Sequence, residues 1–356
     1  MSKHKLSLKD IQRLPKSDIH VHLDGSLRIE TILELAEKDK VRLPAHTPEK
    51  LRPIVQVGSD CKNLVEYLKA FDVTLAVMQT YESLVRVAFE LAEDSANENI
   101  RYMEVRYSPI LHLRKGMHLT GVVSAVLEGL ELAERKYGIK TGVIICGIRH
   151  ISPEEANRLA ALTVAYKNHG VVGFDLAGAE ESFPDKKYKD AFERVSSNNI
   201  NCTLHAGETY GPKSVHQAIH ICGAHRIGHG VRLIEDGELV NYVNDHRIPL
   251  EMCISSNLQS KVVKRIEDHP IRLFYDLGMR VTVNTDNRLI TNTTLSDEYW
   301  RLHQELDFSI EEIKEIIING FKSAFIPYAQ KCHLVSGIVA ELKSLEHGSA
   351  ETKKEH

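Results

Sequence analysis

Residues 170–178 read GVVGFDLAG, a short β-branched run that is apolar on both faces. A strand without alternation is one covered on both sides, the usual state of a parallel strand beneath helices. It follows SPEEANRLAALTVAYKNHG (152–170), a helical pattern that opens on Ser-Pro-Glu-Glu and closes on glycine. The same alternation repeats in both directions. DIHVHL (18–23), RYMEVRYS (101–108), TGVIICGI (141–148), INCTLHAGE (200–208), HRIGHGV (225–231), IPLEMCIS (248–255) and RVTVNTD (280–286) bring the strand candidates to eight. Helical segments such as GVVSAVLEGLELAERKYG (121–138) intervene, with apolar residues at three- and four-residue spacing. Eight strands alternating with helices predict an α/β fold, a closed (β/α)8 TIM barrel. An open doubly wound sheet shares the alternation and stands as the alternative, because periodicity does not report closure.

Residues 24–100, between the first two strands, are too many for a normal connection. They include NLVEYLKAFDVTLAVMQT (63–80), in which Leu64, Leu68, Phe71 and Leu75 fall on one helical face. That stripe reads either as a core-facing face or as part of a lid over the barrel mouth. The predicted organisation is one catalytic barrel over residues 1–345, carrying a helical lid insertion at about 28–98. The polar segment EHGSAETKKEH (346–356) reads as a disordered tail.

Composition narrows the partners. A net charge of −4 over 356 residues lacks the basic excess of a nucleic-acid binder. No apolar run approaches the length of a membrane span, and MSKHKLSLKD has no signal-peptide core. Cys61, Cys146, Cys202, Cys222, Cys253 and Cys332 show no CxxC spacing and read as free thiols in a reducing compartment. A soluble cytoplasmic protein acting on a small molecule is expected.

Barrel enzymes place their chemistry at the carboxyl ends of the strands. His20, His22 and Asp24 close the first strand, His205 and Glu208 the fifth, His229 the sixth, and Asp286 and Asn287 the eighth. His20 and His22 share one side of an extended strand. Catalytic zinc takes three or four histidine and carboxylate ligands and keeps a position open, so His20, His22, His205 and Asp286 are candidate ligands of one Zn2+. Each residue also has an ordinary alternative. His205 would be a core histidine bonded to backbone, and His229 a turn residue between glycines. Glu208 would cap the following helix and Asp286 the last one. Those alternatives require several coincidences at one face.

The ordered set DIHVHLDGS (18–26), EVRYSP (104–109), DLAGAE (175–180), HAGETYGP (205–212), RIGHGV (226–231), CISSN (253–257) and VNTDN (283–287) resembles the adenosine deaminases of the amidohydrolase superfamily. The resemblance implies a (β/α)8 barrel with one catalytic zinc on His20, His22, His205 and Asp286. It implies Glu208 as proton donor to purine N1, and His229 as the residue that orients the attacking water and helps deprotonate it. Asp286 would also accept a hydrogen bond from that water. Asp24 would bind the ribose hydroxyls at the 5′ end, Gly178 would offer its N–H to the purine, and Ser108 would line the pocket. The implied reaction converts adenosine and 2′-deoxyadenosine to inosine and 2′-deoxyinosine plus ammonia, in purine salvage. Free adenine or a modified adenine nucleoside is the alternative substrate, and a non-catalytic nucleoside-binding protein the more distant reading.

Three details refine these expectations. GFDLAG carries no lysine that could be carboxylated to bridge two metals, which favours a mononuclear site. An acid at Asp24 would repel a 5′-phosphate, which favours a nucleoside over AMP. Asn287 stands where the family usually has a second aspartate, and its amide can donate to purine N7 without first acquiring a proton. The nucleic-acid deaminase signature, H-x-E with P-C-x-x-C, is missing from the sequence.

Overall fold

Eight parallel strands pair in sequence order: β1 (Lys16–His22), β2 (Ile100–Tyr107), β3 (Lys140–Ile148), β4 (Val171–Ala177), β5 (Asn201–Ala206), β6 (Arg226–His229), β7 (Leu250–Met252) and β8 (Val281–Val283). The computed structural model describes residues 6–57, 70–181 and 183–351, with side chains through residue 345. The ring closes just beyond β8, where the His22 N–H donates to the Asp286 carbonyl at 2.7 Å and the Asp286 N–H to the His20 carbonyl at 2.9 Å. Sequential order with closure is a (β/α)8 barrel; a doubly wound sheet would reverse its strand order. The expected open-sheet alternative is thereby excluded.

Each predicted strand is present, and two of them end three residues early. IPLEMCIS stops at Met252, and a helix begins at Ile254; RVTVNTD stops at Val283. β4 has six buried residues in seven, in keeping with a strand covered on both faces. The helix after β3 runs Pro153–Ala165, and its Ser152 cap accepts from the Glu155 N–H as the Ser-Pro-Glu-Glu start predicts. Helix Ile310–Ser323 lies against β1 and β8 at close range: a Cβ on Gly320 would sit 2.4 Å from Ser17 Oγ. At the amino end of β1, the buried Lys16 ammonium donates to the carbonyls of Ile11, Gln12 and Leu14 at 2.8–3.1 Å, fastening helix Leu8–Arg13 across the barrel floor.

Residues 28–98 hold helices Ile29–Asp39, Pro48–Val55, Phe71–Val77 and Tyr81–Asn97 among the described residues. The last of these joins the outer ring, packing on helix Leu119–Tyr137 so closely that a Cβ on Gly129 would meet the Val85 carbonyl at 2.2 Å. The preceding segments lean on the chain beyond β8. The Val57 N–H donates to the Ile290 carbonyl at 2.8 Å, and Ala70 and Ile290 form a small buried cluster flanked by Val57 and Phe71. Leu64 and Leu68 lie outside the described residues; Leu75 is buried. At the other end, helix Tyr328–Glu351 runs into the polar stretch expected as a tail, and residues 352–356 lie outside the described residues.

Candidate active site

The carboxyl ends of β1, β5, β6 and β8 converge on one buried cluster. The His20 ring lies 5.5 Å from His22, 4.6 Å from His205 and 4.9 Å from His229, centroid to centroid. Asp286 Oδ1 stands 3.3 Å from His22 Nε2 and 3.6 Å from His20 Nε2. His22 Nε2 and His205 Nε2 are 3.2 Å apart. One nitrogen or oxygen from each of His20, His22, His205 and Asp286 falls within 4.8 Å of all the others. The backbone rung that closes the barrel is therefore also the floor of this cluster.

Carboxylates behind the rings aim them. Glu251 Oε2 holds His20 Nδ1 at 2.9 Å, and Asp175 Oδ2 holds His205 Nδ1 at 2.9 Å. A carboxylate on Nδ1 keeps the proton there and turns the Nε2 lone pair toward the cluster, the arrangement that supports metal-binding histidines. His20 Nε2 is buried without a hydrogen-bond partner among the described residues, as a ligand atom would be. Ser256 Oγ donates to Asp286 Oδ2 at 2.6 Å, leaving Oδ1 toward the histidines. Burial, with Arg106 adding to it, pushes His20 down to about 4, and burial also holds His22 well below its ordinary value. Burial would raise Asp286, but His20, His22 and His229 outweigh it and keep the carboxylate ionised. At His205 burial is outweighed by Asp175, which raises it, while His20 and His22 stay neutral beside the Asp286 carboxylate. This histidine and carboxylate set is the donor chemistry of a divalent zinc-like ion, so the residues fit such a metal.

These supporting carboxylates belong to a charged network inside the barrel. Arg106 spans Asp175 Oδ2 at 3.0 Å and Glu251 Oε2 at 2.8 Å; Arg226 spans Glu251 Oε1 and Glu104 Oε2, both at 2.5 Å. Thr203 adds a donor to Glu251 Oε1 at 2.9 Å. All are fully or almost fully buried, and buried charges persist only when paired in this way.

Glu208 and His229 border the cluster, with Glu208 Oε2 at 3.9 Å from His229 Nε2. Burial raises Glu208, helped by Glu180 and Asp286 and opposed by His229 and His205. Its backbone is held by the buried Glu180, whose carboxylate accepts from the N–H groups of Gly207, Glu208, Thr209 and Tyr210 at 2.9–3.4 Å and from Ser214 Oγ at 2.7 Å. Arg149 Nη2 donates to the His205 carbonyl at 2.5 Å, steadying the same turn. His229 (φ 63°) and Asp286 (φ 61°) both adopt left-handed backbone, which side chains beyond Cβ seldom do and which clusters at functional sites.

The ordinary alternatives fare unevenly. Thr294 rather than Asp286 caps helix Leu295–Glu305, and Gly211 rather than Glu208 occupies the cap of helix Pro212–His220. His205 is satisfied by a carboxylate and not by backbone. His229 does occupy a tight turn ahead of Gly230. Around the rim, Asp24 is buried, and burial together with Asp286 pushes it up to about 7. Asp24 Oδ1 and Ser108 Oγ are buried without partners among the described residues. Asn287 packs over Gly25, where an added Cβ would stand 1.9 Å from Asn287 Oδ1; only glycine leaves that side chain room. Gly178 (φ 100°) follows the last residue of β4 at the same rim. Asp175, Glu180, Glu251, Ser256, Asn257 and His269 escaped sequence reasoning as functional positions. The available signal was a carboxylate inside an otherwise apolar strand run, as at Asp175 and Glu251.

Comparison with known proteins follows the same pattern. The adenosine deaminase family model matches residues 15–341. The chain is 41% identical over 327 residues to the adenosine deaminase of Clostridium acetobutylicum, covering 92% of this chain and 98% of that one. It is also 41% identical over 322 residues to the "Probable adenosine deaminase" of Dictyostelium discoideum, covering 90% of this chain but 42% of that longer protein. Among solved structures, the adenine deaminase of Arthrobacter aurescens superposes with a TM-score of 0.86 at 26% identity, covering 93% of this chain and 99% of that one. The N6-methyl-AMP deaminase of Arabidopsis thaliana gives 0.83 at 27%, covering 94% and 98%. No helix among the described residues is long and apolar enough to cross a membrane.

Proposed function

The chain belongs to the adenosine deaminase family, and on that premise we propose how its residues carry out the hydrolytic deamination of adenosine and 2′-deoxyadenosine. The enzyme is a hydrolase of C–N bonds acting on a purine, releasing ammonia and leaving inosine or 2′-deoxyinosine. The observation that carries the reading is the convergence of His20, His22, His205 and Asp286 beside a buried Glu208. The first four would hold one Zn2+. Such an ion, when bound, supplies the Lewis acidity that makes water a nucleophile near neutral pH.

The remaining chemistry falls to the protein. Addition of water to C6 pushes electrons onto N1, so N1 has to gain a proton as the bond forms. Glu208 delivers it, because burial keeps the carboxyl protonated to a higher pH than an exposed glutamate. His229 orients the attacking water through Nε2, and Asp286 accepts a hydrogen bond from it. The proton that the adding water gives up to Asp286 passes to the departing amino group, so collapse of the tetrahedral carbon expels NH3. The proton left on the new C6 oxygen restores the Glu208 carboxyl as the 6-oxo group forms. Asp24 binds the ribose hydroxyls, for which its unpartnered Oδ1 is suited. The Gly178 N–H meets the purine, Asn287 donates to N7, and Ser108 lines the pocket. Segments 29–57 and 70–77, which lean on the loop after β8, act as a lid that excludes water. Free buried thiols at Cys146, Cys202, Cys222 and Cys253 suit a reducing cytoplasm, and purine salvage is the role such a reaction serves.

Free adenine or a modified or phosphorylated nucleoside is the second reading, favoured by what the two superposing deaminases are named for. Asp24 argues against free adenine, which offers it no ribose, and its ionised form against a phosphorylated nucleoside, whereas a base-modified nucleoside keeps the ribose and is separated by assay alone. Relative kcat/KM for adenosine, 2′-deoxyadenosine, adenine, AMP and their N6-methyl derivatives decides. Adenosine and 2′-deoxyadenosine lead if the proposal holds, and preference for adenine or AMP overturns it.

A further inference from the structure

Behind His229 runs a file of hydrogen bonds that begins on a group whose direction is fixed. The Ile271 backbone N–H can only donate, and it points at His269 Nδ1 from 3.3 Å. The receiving nitrogen of a neutral imidazole is bare, so the His269 proton resides on Nε2. That nitrogen lies 3.3 Å from Asn257 Oδ1, which can only accept. The other end of the amide, Asn257 Nδ2, can only donate, and it stands 3.1 Å from His229 Nδ1. His229 Nδ1 is therefore the bare nitrogen of its ring, and the proton sits on Nε2, the atom turned toward Glu208. The file is closed to water: His229, Asn257 and His269 are at most 3% exposed. Burial pushes His269 down to about 3, which keeps it neutral and the direction of the file intact.

We propose that Asn257 and His269 are positioning residues that lock His229 as its Nε2–H tautomer, so that His229 serves deamination as a hydrogen-bond donor and not as the base that takes a proton from water. This rests on the purine deaminase reading of the pocket, and it departs from the expectation that His229 also deprotonates the water. A donor at that place holds the water oxygen in line for attack and stabilises negative charge as it develops. Its only bare nitrogen is engaged by Asn257, away from the reaction.

The experiment reads the tautomer directly in the zinc-loaded full-length enzyme, with ring-15N histidine and two-bond 1H–15N correlation. His229 is assigned by comparison with His229→Gln. The expected spectrum has a bare Nδ1 and a protonated Nε2 for both His229 and His269. A protonated Nδ1 or an imidazolium at His229 overturns the proposal. Asn257→Asp replaces the donor with an acceptor, so His229 should move its proton to Nδ1. Turnover of adenosine should then fall by about tenfold or more in kcat with KM within about twofold, the signature of an interaction made in the transition state. His269→Gln keeps a donor for Asn257 and should recover most of the activity lost in His269→Ala. Retained kcat in Asn257→Asp with a flipped tautomer also overturns the proposal. The wild-type spectrum is read without substrate, so it decides the tautomer even if the variants misfold. Failure to turn over any purine would instead sink the functional reading and leave the tautomer result standing.

Discussion

Replacing Glu180 with alanine should disable the enzyme although this side chain is placed outside the chemistry. Its carboxylate takes four consecutive backbone N–H groups, from Gly207 to Tyr210, and the Ser214 hydroxyl. Those residues form the turn that presents Glu208. Hydrogen bonds to a buried charged group are worth roughly 1.5–3 kcal/mol each, and an unsatisfied buried donor costs about 1–3 kcal/mol. Two of the five contacts are shorter than 3 Å, at 2.9 and 2.7 Å, and water entering the vacated space would re-bond part of the rest. A net loss of about 3 kcal/mol in stability is expected. The turn relaxes, and a displacement of about 1 Å at Glu208 is enough for a loss of about 100-fold in kcat. Thermal unfolding and steady-state adenosine kinetics measure the two effects. On a Glu208→Gln background the Glu180→Ala change should lower kcat little further, because both act through one group. A variant with wild-type kcat and an unchanged melting temperature would refute the reasoning.

Other expectations follow from the same geometry. Asp24→Ala should raise KM for adenosine while leaving turnover of any accepted free base nearly unaltered; equal losses on both substrates would remove Asp24 from the ribose. Chelation of the purified enzyme should lower its melting temperature, and zinc should restore it, since an ion that binds the folded cluster alone stabilises by mass action; identical melting curves would argue against a metal on these four residues. In a Cys61→Ser background a thiol reagent should modify Cys332 at once and the buried Cys146, Cys202, Cys222 and Cys253 only on unfolding. Burial pushes the Cys202 thiol up to about 12, so its thiolate is scarce at neutral pH. Prompt reaction of several thiols would contradict the packing.

The barrel was legible because each strand ends in a change of chemistry. Apolar runs give way to His20–His22, His205, His229 and Asp286 at the rim, and the spacing of the runs supplies the order. What lay hidden are contacts between residues far apart in the chain. Arg106 and Glu251 are 145 positions apart and meet inside the barrel, and no local pattern pairs them. Each shows only as a charge within a strand. Asn257 and His269 sit in the connection after β7, where short helical pieces replace the expected end of a strand. Their roles depend on hydrogen-bond direction, which sequence does not encode. The two early strand ends have one cause: just past Met252 and Val283 the chain turns to place Ser256 on Asp286 and to pair Asp286 with β1, and site geometry outweighs β propensity.

The central claim is that a metal cluster and a separate proton donor, Glu208, together deaminate adenosine. Zinc content and adenosine turnover of Glu208→Gln, measured side by side with the wild type, test it most directly. One zinc per chain in both proteins, with turnover in the variant down by about 100-fold or more, is the predicted result. Near-normal turnover in the variant, or a wild type that binds zinc and leaves adenosine unchanged, would contradict it.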